Sequence, residues 1–207
     1  MRNWSIVVPA KRLAVAKTRL RPLTGGGPAH DELVLALLAD TVSAALACAA
    51  VGAVVVVTDD PAAREVVEQL GARTVGDEPD RGLNPALEHG ARSTGATAVA
   101  ALSSDLPALR PAELAAALRA AEPTPRAFVA DAQGTGTTLL TATGTALRPR
   151  FGADSARAHA GDGTVLLSGA WPGLLRDVDT EADLRAALAL GVGPRTTALA
   201  VSLRAAR

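Results

Sequence analysis

Both lysines of this chain, Lys11 and Lys17, fall within one seven-residue window, while the other 19 strongly basic positions are all Arg. A compact ammonium is kept where a planar guanidinium fork does not fit, and contact with a crowded phosphate is one such place. Arg19 extends the same basic stretch. Three carboxylates complement it: Asp105 follows the apolar run Thr97 to Leu102, and Asp177 and Asp179 precede an Ala/Leu-rich helical stretch. Carboxylates beside cations suit Mg2+ and polyphosphate, because Mg2+ takes one or two carboxylates and fills its shell with water and phosphate oxygens. The chemistry implied is phosphoryl or nucleotidyl transfer. Each site has a structural alternative: a solvated charged loop for the lysine window, a turn for Asp105-Leu106-Pro107, and a helix cap for Asp179-Thr180-Glu181. Because Asp179 or Thr180 can do the capping, Asp177 is left without a structural duty. Asp59 and Asp60, just before Pro61, read as caps.

Two further segments offer backbone amides to an anion. Gly134-Thr135-Gly136-Thr137 is an anion-lining turn or a hairpin turn that needs glycine at positive φ. Phe151-Gly152-Ala153-Asp154-Ser155 opens a short helix, whose free amides favour phosphate or carboxylate, or is an ordinary Asp/Ser cap. His30, His89 and His159 share no ligand spacing, so histidine metal binding is not expected. The single cysteine, Cys48, lies in an Ala-rich helical run and reads as a small core residue. There is no Walker loop, no Gly-x-Ser-x-Gly elbow and no Gly-x-Gly-x-x-Gly after a strand.

The elements that must position these residues alternate between short β-rich runs and Ala/Leu-rich helical ones, which gives an α/β fold with a largely parallel sheet. Strands are expected at Trp4 to Pro9, Ala53 to Thr58, Gly71 to Val75, Thr97 to Leu102, Arg126 to Asp131 and from Thr137 onward. Helices are expected from Asp31 to Ala49, after Pro61, from Pro111 to Ala121, briefly from Ser155 to Ala160, and finally from Glu181 to Leu190. Pro22 to Pro28 reads as a flexible break and Ala146 to Gly173 as mostly irregular. Ligands of an open α/β sheet collect at the carboxyl ends of its strands. The lysine window, Asp105, and Asp177 or Asp179 before the last helix all fall there.

Composition narrows the partners. Basic and acidic residues balance at 21 each, so no global field draws the chain to nucleic acid or to an anionic membrane. Without Tyr, and with only Phe128, Phe151, Trp4 and Trp171 as aromatics, no stacking platform for bases is expected. No apolar stretch approaches the roughly 20 residues of a membrane span, and no signal-peptide core is present. The expectation is one cytoplasmic domain over residues 1–207 with a peripheral tail after about 194.

Taken together, Val8-Pro9-Ala10-Lys11-Arg12-Leu13 with Ala16-Lys17-Thr18-Arg19-Leu20, Gly82-Leu83-Asn84-Pro85-Ala86-Leu87, Asp105-Leu106-Pro107, Gly134-Thr135-Gly136-Thr137, Phe151-Gly152-Ala153-Asp154-Ser155 and Asp177-Val178-Asp179-Thr180 resemble one family. It is the phosphoenolpyruvate/2-phospholactate guanylyltransferase family of deazaflavin coenzyme F-420 biosynthesis. The resemblance implies a single nucleotidyltransferase domain, a Rossmann-like, mostly parallel mixed sheet flanked by helices of the glycosyltransferase-A kind. It also implies that GTP and phosphoenolpyruvate react to give enolpyruvoyl-2-diphospho-5'-guanosine and pyrophosphate, with a downstream transferase receiving the product. The Ala- and Arg-rich composition looks like the actinobacterial branch of that family, the one associated with phosphoenolpyruvate. By motif, Asp105 and Asp177 look like Mg2+ ligands, and Thr137, Gly152 and Ser155 like phosphoenolpyruvate contacts. Lys11, Lys17 and Arg19 look like triphosphate contacts, with Lys17 the catalytic cation, and Asn84 like a guanine or ribose contact. The same reaction on 2-phospholactate, another small-phosphate nucleotidyltransferase, and a non-catalytic nucleotide-binding regulator are the alternatives.

Overall fold

The run Trp4–Pro9 is apolar at every position but Ser5 and is buried almost throughout, as a strand covered on both faces must be. It forms β1 in a computed structural model that describes residues 3–13, 16–78 and 80–205. Ala14 and Val15, inside the lysine window, lie outside the described residues. The other strands are β2 (Val51–Val57), β3 (Arg73–Val75), β4 (Ala98–Leu102), β5 (Arg126–Ala130), β6 (Thr137–Thr143) and β7 (Val165–Leu166). They form one seven-stranded sheet in the order β3-β2-β1-β4-β6-β5-β7. β6 runs antiparallel to both β4 and β5, and the other pairs are parallel. The expected mostly parallel mixed sheet is thus the one observed.

Helices α1 (Arg21–Thr24), α2 (Gly27–Leu46), α3 (Pro61–Gln69), α4 (Leu83–Thr94), α5 (Pro111–Ala121), α6 (Ser155–Gly161), α7 (Pro172–Leu175), α8 (Glu181–Leu190) and α9 (Pro194–Ala205) complete the chain. The sequence reading has no helix where α4 stands, and three further segments differ from it. Pro22 to Pro28 is not one flexible break: Pro22 and Pro28 each sit in the first turn of a helix, where the missing N–H is no loss. Pro172 likewise starts α7 inside the stretch expected to be irregular. The tail after Pro194 is helical, and its first turn is held by Asp40, whose carboxylate is buried and accepts from the Arg195 and Thr196 amides.

The core has three parts, and each fixes part of the site. On one face of the sheet Trp4, Ile6 and Val8 pack with Leu102, Leu114 and Leu118. On the other, Val7 and Val57 pack with Leu87, Phe128 and Leu140. There α4 lies so close that a Cβ on Gly90 would stand 2.6 Å from both Val57 and Val7. The helix can therefore sit low enough to turn Leu83 and Leu87 toward the strand ends. The third part gathers Leu20, Ala108 and Val178 on Leu33 and Leu37 of α2, with Leu184 and Ala187 of α8. Leu20 is three residues from Lys17, Ala108 three from Asp105, and Val178 lies between Asp177 and Asp179. One apolar cluster thus draws three segments, distant in sequence, to a single edge of the sheet.

Candidate active site

The first loop is tied down at several points before it reaches Lys17. Ala10 N–H donates to Val57 O, and Leu13 N–H donates to the Asp60 carboxylate at 2.9 Å. The same carboxylate caps α3 through the Ala62 and Ala63 amides, so Asp60 is a cap, as expected, and a loop anchor as well. Asp59 pairs with Arg12 at 3.5 Å. On the far side of the window, buried His30 donates from Nε2 to Ala16 O at 2.9 Å. Lys17 then takes a left-handed conformation with φ 48° and ψ 40°. That geometry costs a non-glycine residue on the order of 1–2 kcal/mol, so other interactions must hold it.

Those interactions are ionic. Lys17 Nζ bonds to Asp105 Oδ2 and, at 2.6 Å, to Asp179 Oδ1. Burial by itself would lower the ammonium's pKa, but the two carboxylates outweigh it and hold the pKa above the ordinary lysine value. Asp105 is buried, and its segment is fixed through backbone groups: Val178 N–H donates to Asp105 O, and Leu106 N–H donates to the buried Thr41 hydroxyl. Asp177 is pushed up to about 7, first by burial and then by the Asp105, Asp179 and Asp131 carboxylates, with Lys17 only partly opposing them. The edge therefore carries more negative charge than one lysine neutralises. Asp105 and Asp177 offer hard oxygen donors with that surplus charge, which fits a divalent cation completed by water and phosphate. Among the described residues no three acidic, histidine or cysteine side chains stand close enough to hold an ion alone.

A cleft of about 410 Å3 opens over this cluster, lined by Lys11, Lys17, Arg19 and Asp105 on its polar side and by Leu83, Leu87 and Phe151 on its apolar side. Ser103 and Ser104 at the end of β4 also face it. Lys11 and Arg19 are exposed, so the expected triphosphate contacts stand together at the mouth, with Lys17 beneath.

The two expected anion segments lie beside this cleft in different states. The turn between β5 and β6 is the hairpin alternative: Gly134 has φ 77°, and the Asp131 carboxylate accepts from the Thr135 and Gly136 amides at 2.9 and 2.8 Å. Its amides are thus filled by the chain's own anion, while Thr137, at the start of β6, is buried with its hydroxyl 3.0 Å from His159 Nδ1. Gly152 is exposed at φ 141°, a conformation only glycine takes readily, and Ser155 is buried at the start of α6. Asn84 stands at the start of α4, against Phe151. Its amide is spent on the Phe151 backbone, donating to Phe151 O at 3.0 Å and accepting from Phe151 N–H at 2.8 Å. It clamps the Phe151 loop to α4.

The sequence reading missed the Asp179 bond to Lys17, the Asp131 turn and the anchors His30 and Asp60. Asp179 was weighed there only as a cap or ligand; the cap is Thr180, whose side chain and Asp183 form a capping box.

The fold is shared with nucleotidyltransferases of known structure. A nucleotidyl transferase from Methanothermobacter superposes with a TM-score of 0.72 at 25% identity, over 92% of this chain and 98% of that one. A Desulfovibrio desulfuricans protein described as a nucleotide-diphospho-sugar transferase shares the fold, with a TM-score of 0.74 at 19% identity over 99% and 96% of the two chains. Residues 4–168 match the family described as "Guanylyl transferase CofC like", and the chain belongs to that family. The phosphoenolpyruvate guanylyltransferase of Geodermatophilus obscurus is 73% identical over 96% of this chain and 94% of its own, and that of Salinispora arenicola 57% identical over 95% and 92%. Among the described residues no helix is long and apolar enough to cross a membrane.

Proposed function

We propose that the protein transfers the guanylyl group of GTP to phosphoenolpyruvate, and the observation that carries this is the Lys17 ammonium held between Asp105 and Asp179 on the floor of the cleft. A phosphate oxygen of phosphoenolpyruvate forms a bond to the α-phosphorus of GTP. The bond from that phosphorus to the bridging oxygen breaks, and pyrophosphate leaves with the electron pair. Both reactants are anions, so alignment and charge neutralisation supply most of the acceleration. Lys11 and Arg19 hold the outer phosphates, and Lys17 meets the charge that develops at the α-phosphate. Asp105 and Asp177 would hold Mg2+, which when bound neutralises phosphate oxygens and orients them. Thr137, Gly152 and Ser155 hold the acceptor, and Asn84 keeps the segment of Phe151 and Gly152 against α4. The apolar wall of Leu83 and Leu87 excludes water from the reacting groups. The product, activated by its new diphosphate linkage, would pass to a transferase that accepts it.

Pyrophosphate release from GTP with Mg2+, run with phosphoenolpyruvate, 2-phospholactate or no acceptor, tests this reading. The highest kcat/KM is expected with phosphoenolpyruvate. Release that ignores the acceptor, or that prefers 2-phospholactate, rejects the assignment. Within the same assay, Ser155→Ala should raise the phosphoenolpyruvate KM about tenfold, the scale of one hydrogen bond to a charged group, and leave the GTP KM in place. A loss confined to the GTP term would move Ser155 to the nucleotide side.

A further inference from the structure

His159 is fully buried, wedged between Phe128, with ring centroids 5.6 Å apart, and Phe151, at 5.3 Å and edge-on. No role in the transfer has been given to it, yet both ring nitrogens are engaged. Arg150 N–H donates to Nε2 at 2.9 Å, so Nε2 carries no proton. A neutral imidazole has one N–H, and it must then be on Nδ1. Nδ1 stands 3.0 Å from Thr137 Oγ1, so the imidazole donates and the threonine oxygen accepts. The hydroxyl's own hydrogen is thereby turned away from the histidine. Thr137 stands at the start of β6, and its carbonyl accepts at 3.4 Å from the hydroxyl of Ser103, which lines the cleft.

We infer that His159 is a positioning residue: a fixed Nδ1–H tautomer commits the Thr137 hydroxyl to donate to an anionic oxygen of the acceptor, while Nε2 holds the Arg150 backbone beside Phe151 and Gly152. This rests on the proposal that Thr137 contacts the acceptor. The alternative, a freely rotating hydroxyl, would also present lone pairs to an anion. A charged ring would disrupt the arrangement by repelling the Arg150 N–H. Burial, reinforced by the Arg150 and Arg126 guanidinium groups against the contrary pull of Asp162 and of a hydrogen bond to the Ser155 backbone, lowers the His159 pKa to about 4. The ring therefore stays neutral at working pH.

Two substitutions separate the nitrogens. The amide of His159→Asn can occupy the place of Nδ1 and keep a donor toward Thr137. The amide of His159→Gln reaches the place of Nε2 and keeps an acceptor for Arg150 alone. Steady-state kinetics with phosphoenolpyruvate should show the acceptor KM raised about tenfold in Thr137→Val and to a similar extent in His159→Gln, with recovery toward wild type in His159→Asn and the GTP KM unmoved throughout. Adding His159→Gln to Thr137→Val should raise the acceptor KM no further. A merely structural histidine would make Asn and Gln behave alike, and that result overturns the inference while leaving the acceptor site standing. An unchanged acceptor KM in Thr137→Val overturns the site reading itself, and the inference with it. Should either buried variant fail to fold, long-range 1H–15N spectra of the wild-type protein decide: a protonated Nδ1 and bare Nε2 are expected, and the opposite tautomer overturns the inference.

Discussion

Asp105→Asn and Asp177→Asn are each expected to cut kcat by about a hundredfold or more while leaving the fold intact, as the loss of a charge-neutralising centre does. The backbone bonds that hold the Asp105 segment, from Val178 N–H and from Leu106 N–H to Thr41, survive the exchange. The two variants should differ in stability. Asp105 is the buried partner of Lys17, and its neutralisation leaves that ammonium with the half-exposed Asp179 alone, so Asp105→Asn should also lower the melting temperature. Asp177 is the reverse case. Its pKa is raised in the folded state, so its ionisation opposes folding, not at all below the ordinary carboxylate range and fully above about 7. With chelator present, Asp177→Asn should therefore match wild-type stability near pH 4 and exceed it at pH 8. Activity lost and stability gained together mark a residue kept for its chemistry. Near-normal turnover in both variants, or full wild-type activity in excess chelator, rejects the metal assignment.

Much of the frame could be read from sequence because its signals are local. Pro111 and the Ala/Leu run after it set both ends of α5, and the unbroken apolar run set β4, which leaves Asp105 just past the strand end. The convergence of the Lys17, Asp105 and Asp177 segments followed from the rule that ligands gather at such ends, although the Leu20, Ala108 and Val178 cluster that enforces it was not visible. What stayed hidden depends on pairings between distant residues. Asn84 and Phe151 are 67 positions apart, and nothing in Gly82-Leu83-Asn84 announces that the amide will be spent on a backbone. His159 read as one of three scattered histidines because its meaning lies in Arg150 N–H and Thr137, not in any spacing. The hairpin turn was ambiguous for a different reason: a glycine turn with bare amides and one filled by Asp131 differ only in where a single carboxylate points.

Lys17→Arg should lose about tenfold or more in kcat although it conserves the charge, and Lys17→Met should lose about a hundredfold or more, the cost of removing one donor from a developing anion. The geometry explains why the conservative change is not conservative here. Nζ lies in the space between Asp105 and Asp179, and the backbone beneath it is left-handed. A guanidinium is longer and planar, so it would either bridge the carboxylates in a fork and stop short of the phosphate, or push past them and lose Asp105. Lys11→Arg provides the control, because Lys11 is exposed at the mouth of the cleft and its proposed task is charge near the outer phosphates, which either side chain supplies. Its effect should be under about threefold and confined to the GTP KM, since an exposed ion pair contributes little beyond that. The contrast between the two positions is the test. Equal effects at Lys11 and Lys17, or wild-type kcat in Lys17→Arg, would show that the ammonium between the aspartates holds the loop and does not meet the α-phosphate.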